Sequence, residues 1–142
     1  MISERFNSLL CGLLALFVVN DAFAQECMPL TGPAPFAFAI ELNYQTFGEA
    51  CARRFPEYRN EVAILYPDWK LVAAEHIDIG RCHYEKTVEA QQIELRESIA
   101  AAGEVMISKQ LEQIAQATAE IAWSPCRWQL RMFKYKPGQP IP

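Results

Sequence analysis

The chain has 142 residues, 51% of them hydrophobic, and its 17 acids, 13 bases and two histidines leave a net charge of −4. That length is one domain's worth, and the near-balanced charge excludes the global basic footprint of a nucleic-acid-binding protein. No G-x4-G-K-[ST], G-x-S-x-G, H-E-x-x-H or calcium-loop pattern occurs, so no motif of phosphate, acyl or metal chemistry stands out.

Residues 1–24 read as a secretory signal peptide. Arg5 precedes the apolar run Leu9–Val19, and Ala22-Phe23-Ala24 supplies a small-x-small cleavage pattern. The run is about half the roughly 20 residues that a bilayer-spanning helix needs. Cleavage at Gln25 leaves 118 of the 142 residues, and no later stretch is long and apolar enough to span a membrane. Residues 25–142 are therefore expected to form one exported domain, periplasmic or extracellular.

Residues 25–35, QECMPLTGPAP, read as an extended lead-in. Phe36, Ile40, Tyr44, Phe47, Cys51 and Phe55 then recur at steps of three or four, which predicts an amphipathic helix ending near Arg54, just before Pro56. The tetrads FPEY (55–58) and YPDW (66–69) each put proline where a first helical turn tolerates it and an acid where the helix dipole favours one. They predict two short helices, at about 57–66 and 68–79, with the aromatics packing the corners.

From Tyr84 to Trp123 there is no proline and only one glycine, Gly103. Val88, Gln92, Leu95, Ile99, Ala102 and Met106 share one face, whereas Ile107, Leu111, Ile114, Thr118 and Ile121 share another, rotated by roughly 90–100°. A phase jump beside Gly103 predicts a helical hairpin, with one kinked helix as the alternative. Beyond Pro125, Trp128, Leu130 and Met132 alternate with Arg127, Gln129 and Arg131, a strand-like period. Residues 137–142 read as a flexible proline-rich tail.

The exported chain keeps four cysteines, Cys27, Cys51, Cys82 and Cys126, an even number that favours disulfides in an oxidising compartment. With no C-x2-C pair, zinc ribbons and thioredoxin-like redox motifs are unsupported. Cys51 ends the first long helix and two short helices could return Cys82 to it, while Cys27 and Cys126 flank the bundle. That placement predicts a nested pairing, Cys51–Cys82 inside Cys27–Cys126.

The stretch EHIDIGRCHYE (75–85) holds both histidines, Cys82 and three carboxylates. On a continuous helix His76 and His83 would lie two turns apart, about 10.5 Å along the axis, whereas helical zinc pairs use i, i+4. Gly80 instead suggests a helix end, with Cys82 as a disulfide anchor in the turn. No metal, cofactor or catalytic residue is assigned.

Cys51-x3-Phe55-Pro56 followed by Trp69 resembles a pattern in small exported bacterial helical proteins, and in size and cysteine number the chain is similar to periplasmic inhibitor and immunity proteins. The resemblance implies export and an all-α fold, and carries no activity.

The expected fold is all-α, a disulfide-stapled bundle of four or five helices with a short extended C-terminal segment. After Glu120 the chain has no acid, and CRWQLRMFKYK combines Arg127, Arg131, Lys134 and Lys136 with Trp128, Phe133 and Tyr135. Arginine and large aromatics are enriched at binding hot spots, and such charge steers an acidic partner. The expected function is therefore binding of a macromolecular protein partner, as an inhibitor, immunity or accessory protein. The alternatives are a small enzyme using His76, His83 and nearby carboxylates, or a carrier of a small apolar ligand. Oligomeric state is left open.

Overall fold

The structure is a computed structural model that describes residues 26–30 and 32–139. The expected signal peptide and its cleavage point lie outside the described residues, as do the last three residues of the tail.

Four helices follow one another: α1 (Ala34–Arg54), α2 (Pro56–Ala90), α3 (Ile93–Gln116) and α4 (Ala119–Met132). Helix α1 starts behind Pro33, with Pro35 in the first turn where a missing N–H costs nothing. It stops because Phe55, which precedes Pro56, turns extended at φ −122°, ψ 102°. Its buried face carries Ala34, Ala37, Ile40, Phe47 and Cys51, close to the face read from the sequence.

The two short helices expected next are one. Helix α2 runs for 35 residues, about 52 Å, straight through Pro67. Proline at that position forfeits the hydrogen bond to the carbonyl four residues back. Burial outweighs that loss: Tyr58, Val62, Trp69, Ala73, Ile77 and Gly80 form one buried stripe whose phase does not change at Pro67. Nor does Gly80 end the helix. A Cβ there would lie 2.5 Å from the Ala34 carbonyl oxygen and 2.7 Å from Phe38 Cβ, so the glycine lets α1 and α2 approach closely.

The expected hairpin at Gly103 is likewise absent. Helix α3 passes through Gly103 unbroken, and the chain turns at the extended residues Gln91 and Gln92 and again at Ala117 and Thr118. Val88 belongs to α2, Ile121 to α4, and Gln92 and Thr118 to the turns, while within α3 Leu95, Ile99, Ala102 and Met106 mark one face and Ile107, Leu111 and Ile114 another. Ile114 is its buried residue, on the face toward α1 and α4, while Leu95, Ile99 and Met106 are exposed. Arg54, at the end of α1, donates to the carbonyl oxygens of Ile114 and Ala117. That caps the carbonyls freed at the end of α3 and ties the α3–α4 corner to α1.

Helix α4 occupies the segment read as a strand. Ala122, Cys126, Gln129 and Leu130 are buried at helical spacing, and Pro125 lies inside the helix. Two disulfides close the bundle. They join Cys27 to Cys82 and Cys51 to Cys126, with Cα atoms 5.8 and 5.6 Å apart, so the pairing is interleaved and not nested. The nested arrangement assumed a chain reversal between Cys51 and Cys82. Continuous α2 instead carries Cys82 away, back to the lead-in beside the start of α1.

The core between α1, α2 and α4 is aromatic. Phe133 packs against Tyr44, Tyr66 and Trp69 with ring centroids 5.3–5.4 Å apart, and Phe55 lies 4.8 Å from Trp123. Most of the FPEY and YPDW aromatics are core, as the corner-packing reading expected: Phe55, Tyr58 and Trp69 are buried and Tyr66 partly so. No helix among the described residues is long and apolar enough to cross a membrane.

Candidate functional site

Burying Ala122, Cys126, Gln129 and Leu130 inward forces a second set of α4 residues outward. At 100° per residue Glu120, Ile121, Ser124, Arg127, Trp128 and Arg131 fall within about 120° of one another. They line a groove of about 480 Å³. Trp128 is 40% exposed and borders a second, smaller groove formed with Asn43, Gln110 and Pro125. The Arg127 guanidinium lies 5.8 Å from the Trp123 ring centroid, a cation–π distance, and Arg127 also lines the groove. Arg131, in the last turn, sits where the helix dipole favours a cation. Lys134 and Lys136 follow on the exposed side of the turns after α4.

The structure divides the seven partner-binding candidates. Arg127, Trp128, Arg131, Lys134 and Lys136 are exposed, whereas Phe133 and Tyr135 are buried and belong to the core. Phe133 fills the space between Tyr44, Tyr66 and Trp69, and Tyr135 meets Phe36 edge-on at 5.3 Å. These two fasten the basic segment to the bundle. A helical period for 122–133, in place of the period of two, would have separated the inward from the outward residues.

EHIDIGRCHYE lies wholly within α2. Cys82 is an anchor, as expected, and the lead-in it holds is also met by His83, whose Nε2 lies 2.8 Å from the Met28 carbonyl oxygen. His83 and Tyr84 line an apolar groove of about 390 Å³ with Leu30, Phe38 and Leu42, and neither His76 nor Asp78 lines that groove. Asp78 pairs with Arg81 at 3.6 Å. Among the described residues no group of three or more His, Cys, Asp or Glu could hold a metal ion.

Sequence reasoning missed a buried polar cluster. Glu41, 1% exposed, accepts from Gln45 Nε2 at 2.9 Å, from the Tyr66 hydroxyl at 2.9 and 3.0 Å, and from Lys70 Nζ at 3.0 Å. The hydrogen bond to Tyr66 and then the one to Glu41 hold the Lys70 pKa above its usual range. Burial pushes up the pKa values of Tyr44 and Tyr66. Nearby, the Tyr58 hydroxyl donates to Gln129 Oε1, and Gln129 Nε2 donates to Asn43 Oδ1 at 2.7 Å. Burial also raises the Tyr58 pKa. The Glu41 carboxylate and the Gln129 amide are thus both matched across helices, which makes the cluster a device for register between α1, α2 and α4, whereas the neighbouring Trp69 Nε1 is buried without a hydrogen-bond partner. Little in the sequence signalled it: Glu41 lies about 100° around α1 from Ile40, off the apolar stripe read from the sequence, and it is buried because Tyr66 and Lys70 of α2 meet it.

No protein-family model, curated protein or solved structure matches this chain.

Proposed function

We propose that this chain is an exported binding module that recognises an acidic macromolecular partner through the outer face of α4. The observation that carries the reading is a packed core beside a bare face on which Arg127, Trp128 and Arg131 surround a groove. Two arginines one helical turn apart can each present a planar fork to carboxylates, and Trp128 supplies the apolar anchor typical of a hot spot. Lys134 and Lys136 extend the positive field and speed encounter. Two disulfides and the leader-like residues 1–24 support export.

The test is capture from envelope extract of the source cell by the immobilised chain, compared with an Arg127→Gln/Arg131→Gln/Lys134→Gln variant. The variant should retain the wild-type melting temperature and lose its captured partner at low salt. The wild type should lose it progressively as salt rises from about 0.05 to 0.3 M, as screening strengthens. Equal capture by both proteins across that range would remove the α4 face from the proposal.

A further inference from the structure

We propose that Cys27–Cys82 is a reducible clasp: a dithiol reductant opens it while Cys51–Cys126 stays closed, and Glu26–Leu30 then leaves α2 with the bundle intact. The two bridges differ in what a reductant can reach. Cys51 and Cys126 are both 0% exposed, whereas Cys27 and Cys82 are each partly exposed. Thiol–disulfide exchange needs a thiolate to reach a sulfur. At Cys51–Cys126 the bundle must first open, and in small domains the unfolded state is roughly 10³–10⁸ times less populated than the native one. At Cys27–Cys82 no such opening is needed.

Little else holds the strap. Glu26–Leu30 forms no regular structure, and Met28 and Leu30 are more than half exposed. Among the described residues its one hydrogen bond joins the Met28 carbonyl oxygen to His83 Nε2 at 2.8 Å. Leu30 lines the apolar groove together with Phe38, Leu42 and Tyr84, so release of the strap uncovers those side chains. The other half of the clasp stays in place. Gly80, on the same helix as Cys82, is set against the Ala34 carbonyl oxygen and Phe38 Cβ, and the Phe38 and Tyr84 rings meet at 5.4 Å. The exchange runs in two displacements. One thiolate of the dithiol attacks one of the two sulfurs, and the other cysteine leaves with the electron pair and takes up a proton. The second thiol of the reductant then displaces the first cysteine. The reductant ends as its disulfide, and Cys27 and Cys82 end as two thiols. Because the chain runs from Cys27 directly into Ala34, beside Gly80, the two thiols keep a high effective concentration. An oxidant therefore closes the clasp again.

The test is a time course of the purified exported chain in dithiothreitol without denaturant, quenched with iodoacetamide and mapped by peptide mass. Cys27 and Cys82 should become alkylated together, at least about 10³-fold faster than Cys51 and Cys126. At that stage helical circular dichroism and the indole N–H resonances of Trp69 and Trp123 should be unchanged, while the ring resonances of His83 and Tyr84 shift. Replacing the reductant by oxidised glutathione should restore Cys27–Cys82. A Cys27→Ser/Cys82→Ser variant reaches the open form without reductant and should show the same shifted His83 and Tyr84 resonances on a folded bundle. Equal rates at the two bridges, or faster reduction of Cys51–Cys126, would overturn the proposal. So would loss of helix when the first bridge opens, an unfolded double-serine variant, or His83 and Tyr84 resonances that do not move. A glutathione adduct that persists on Cys27 or Cys82 would overturn the reversible clasp.

Discussion

The interleaved disulfides are not equivalent, and removing them one at a time separates their contributions. Cys51–Cys126 closes a separation of 75 residues and Cys27–Cys82 one of 55. Loop-closure entropy alone assigns about 4.5 kcal/mol to the first and about 4.2 kcal/mol to the second at 25 °C. That near-equality assumes that both ends are held in the folded state whether or not the bond is present. It holds for Cys51 and Cys126, which are fully buried between α1 and α4. Cys27 instead lies in a short extended lead-in where Met28 and Leu30 are both more than half exposed and one hydrogen bond, from His83 to Met28, assists the bond. Once Cys27–Cys82 is cut, the lead-in can leave α2 while the bundle stays folded, so the native state gains much of the entropy that the unfolded state gains. Cys51→Ala/Cys126→Ala should therefore cost about 4 kcal/mol, a large part of the 5–15 kcal/mol of a typical domain. Cys27→Ala/Cys82→Ala should cost under about 2 kcal/mol on the same reasoning. Urea unfolding followed by circular dichroism measures both. A Cys27–Cys82 deletion as costly as the other would show that the lead-in is integral to the bundle and refute the distinction.

Two glycines should respond in opposite directions: Gly80→Ala must push α1 away and lose about 1–3 kcal/mol, whereas Gly103→Ala, whose Cβ meets nothing within 4 Å, should gain up to about 1 kcal/mol. Both follow from thermal melts, and a neutral Gly80→Ala would contradict the close approach. Replacing Glu41 by alanine removes the acceptor shared by Gln45, Tyr66 and Lys70 and should cost about 1–3 kcal/mol; Glu41→Gln, which still accepts from Tyr66, should cost less. Alkaline stability is set by Tyr44, Tyr58, Tyr66 and Lys70, all of which hold their protons more tightly in the folded chain than usual. Above about pH 10 the unfolded chain releases those protons first, so stability is full below that pH and falls as pH rises through the raised values. A pH series of urea midpoints that stays flat from about pH 9 to 11.5 would contradict this.

The helical class and the first helix were legible because apolar spacing reports burial directly, and α1 buries nearly the residues its stripe named. Three boundaries were not, for a common reason. Pro67, Gly80 and Pro125 are residues that disfavour a helix locally, yet each sits in a helix whose buried stripe continues past it. Tyr58, Val62, Trp69 and Ala73 keep one phase through Pro67, so stripe continuity was the stronger signal than the proline. In 84–123 the phase change reflects an outward and an inward face within α3, but the outer members of the two stripes, Val88 and Ile121, belong to α2 and α4. The candidate site was half legible: residue types located the basic aromatic segment, but only a helical register distinguishes Trp128, which faces out, from Phe133, which does not. The disulfide pairing was illegible because it depends on the length of α2.

The order of the cysteines has a consequence for how the molecule withstands proteases. Any single backbone cut between residues 27 and 126 falls inside at least one of the two closed loops, so the pieces remain one covalent molecule. Exposure concentrates around Gln91–Lys109, at the α2–α3 turn and the uncovered half of α3. A protease that opens the chain there leaves α1 and α4 joined through Cys51–Cys126, and the aromatic core that they share with α2 is not touched. Such a nicked form would migrate as a single species on a gel until a reductant separates it into two.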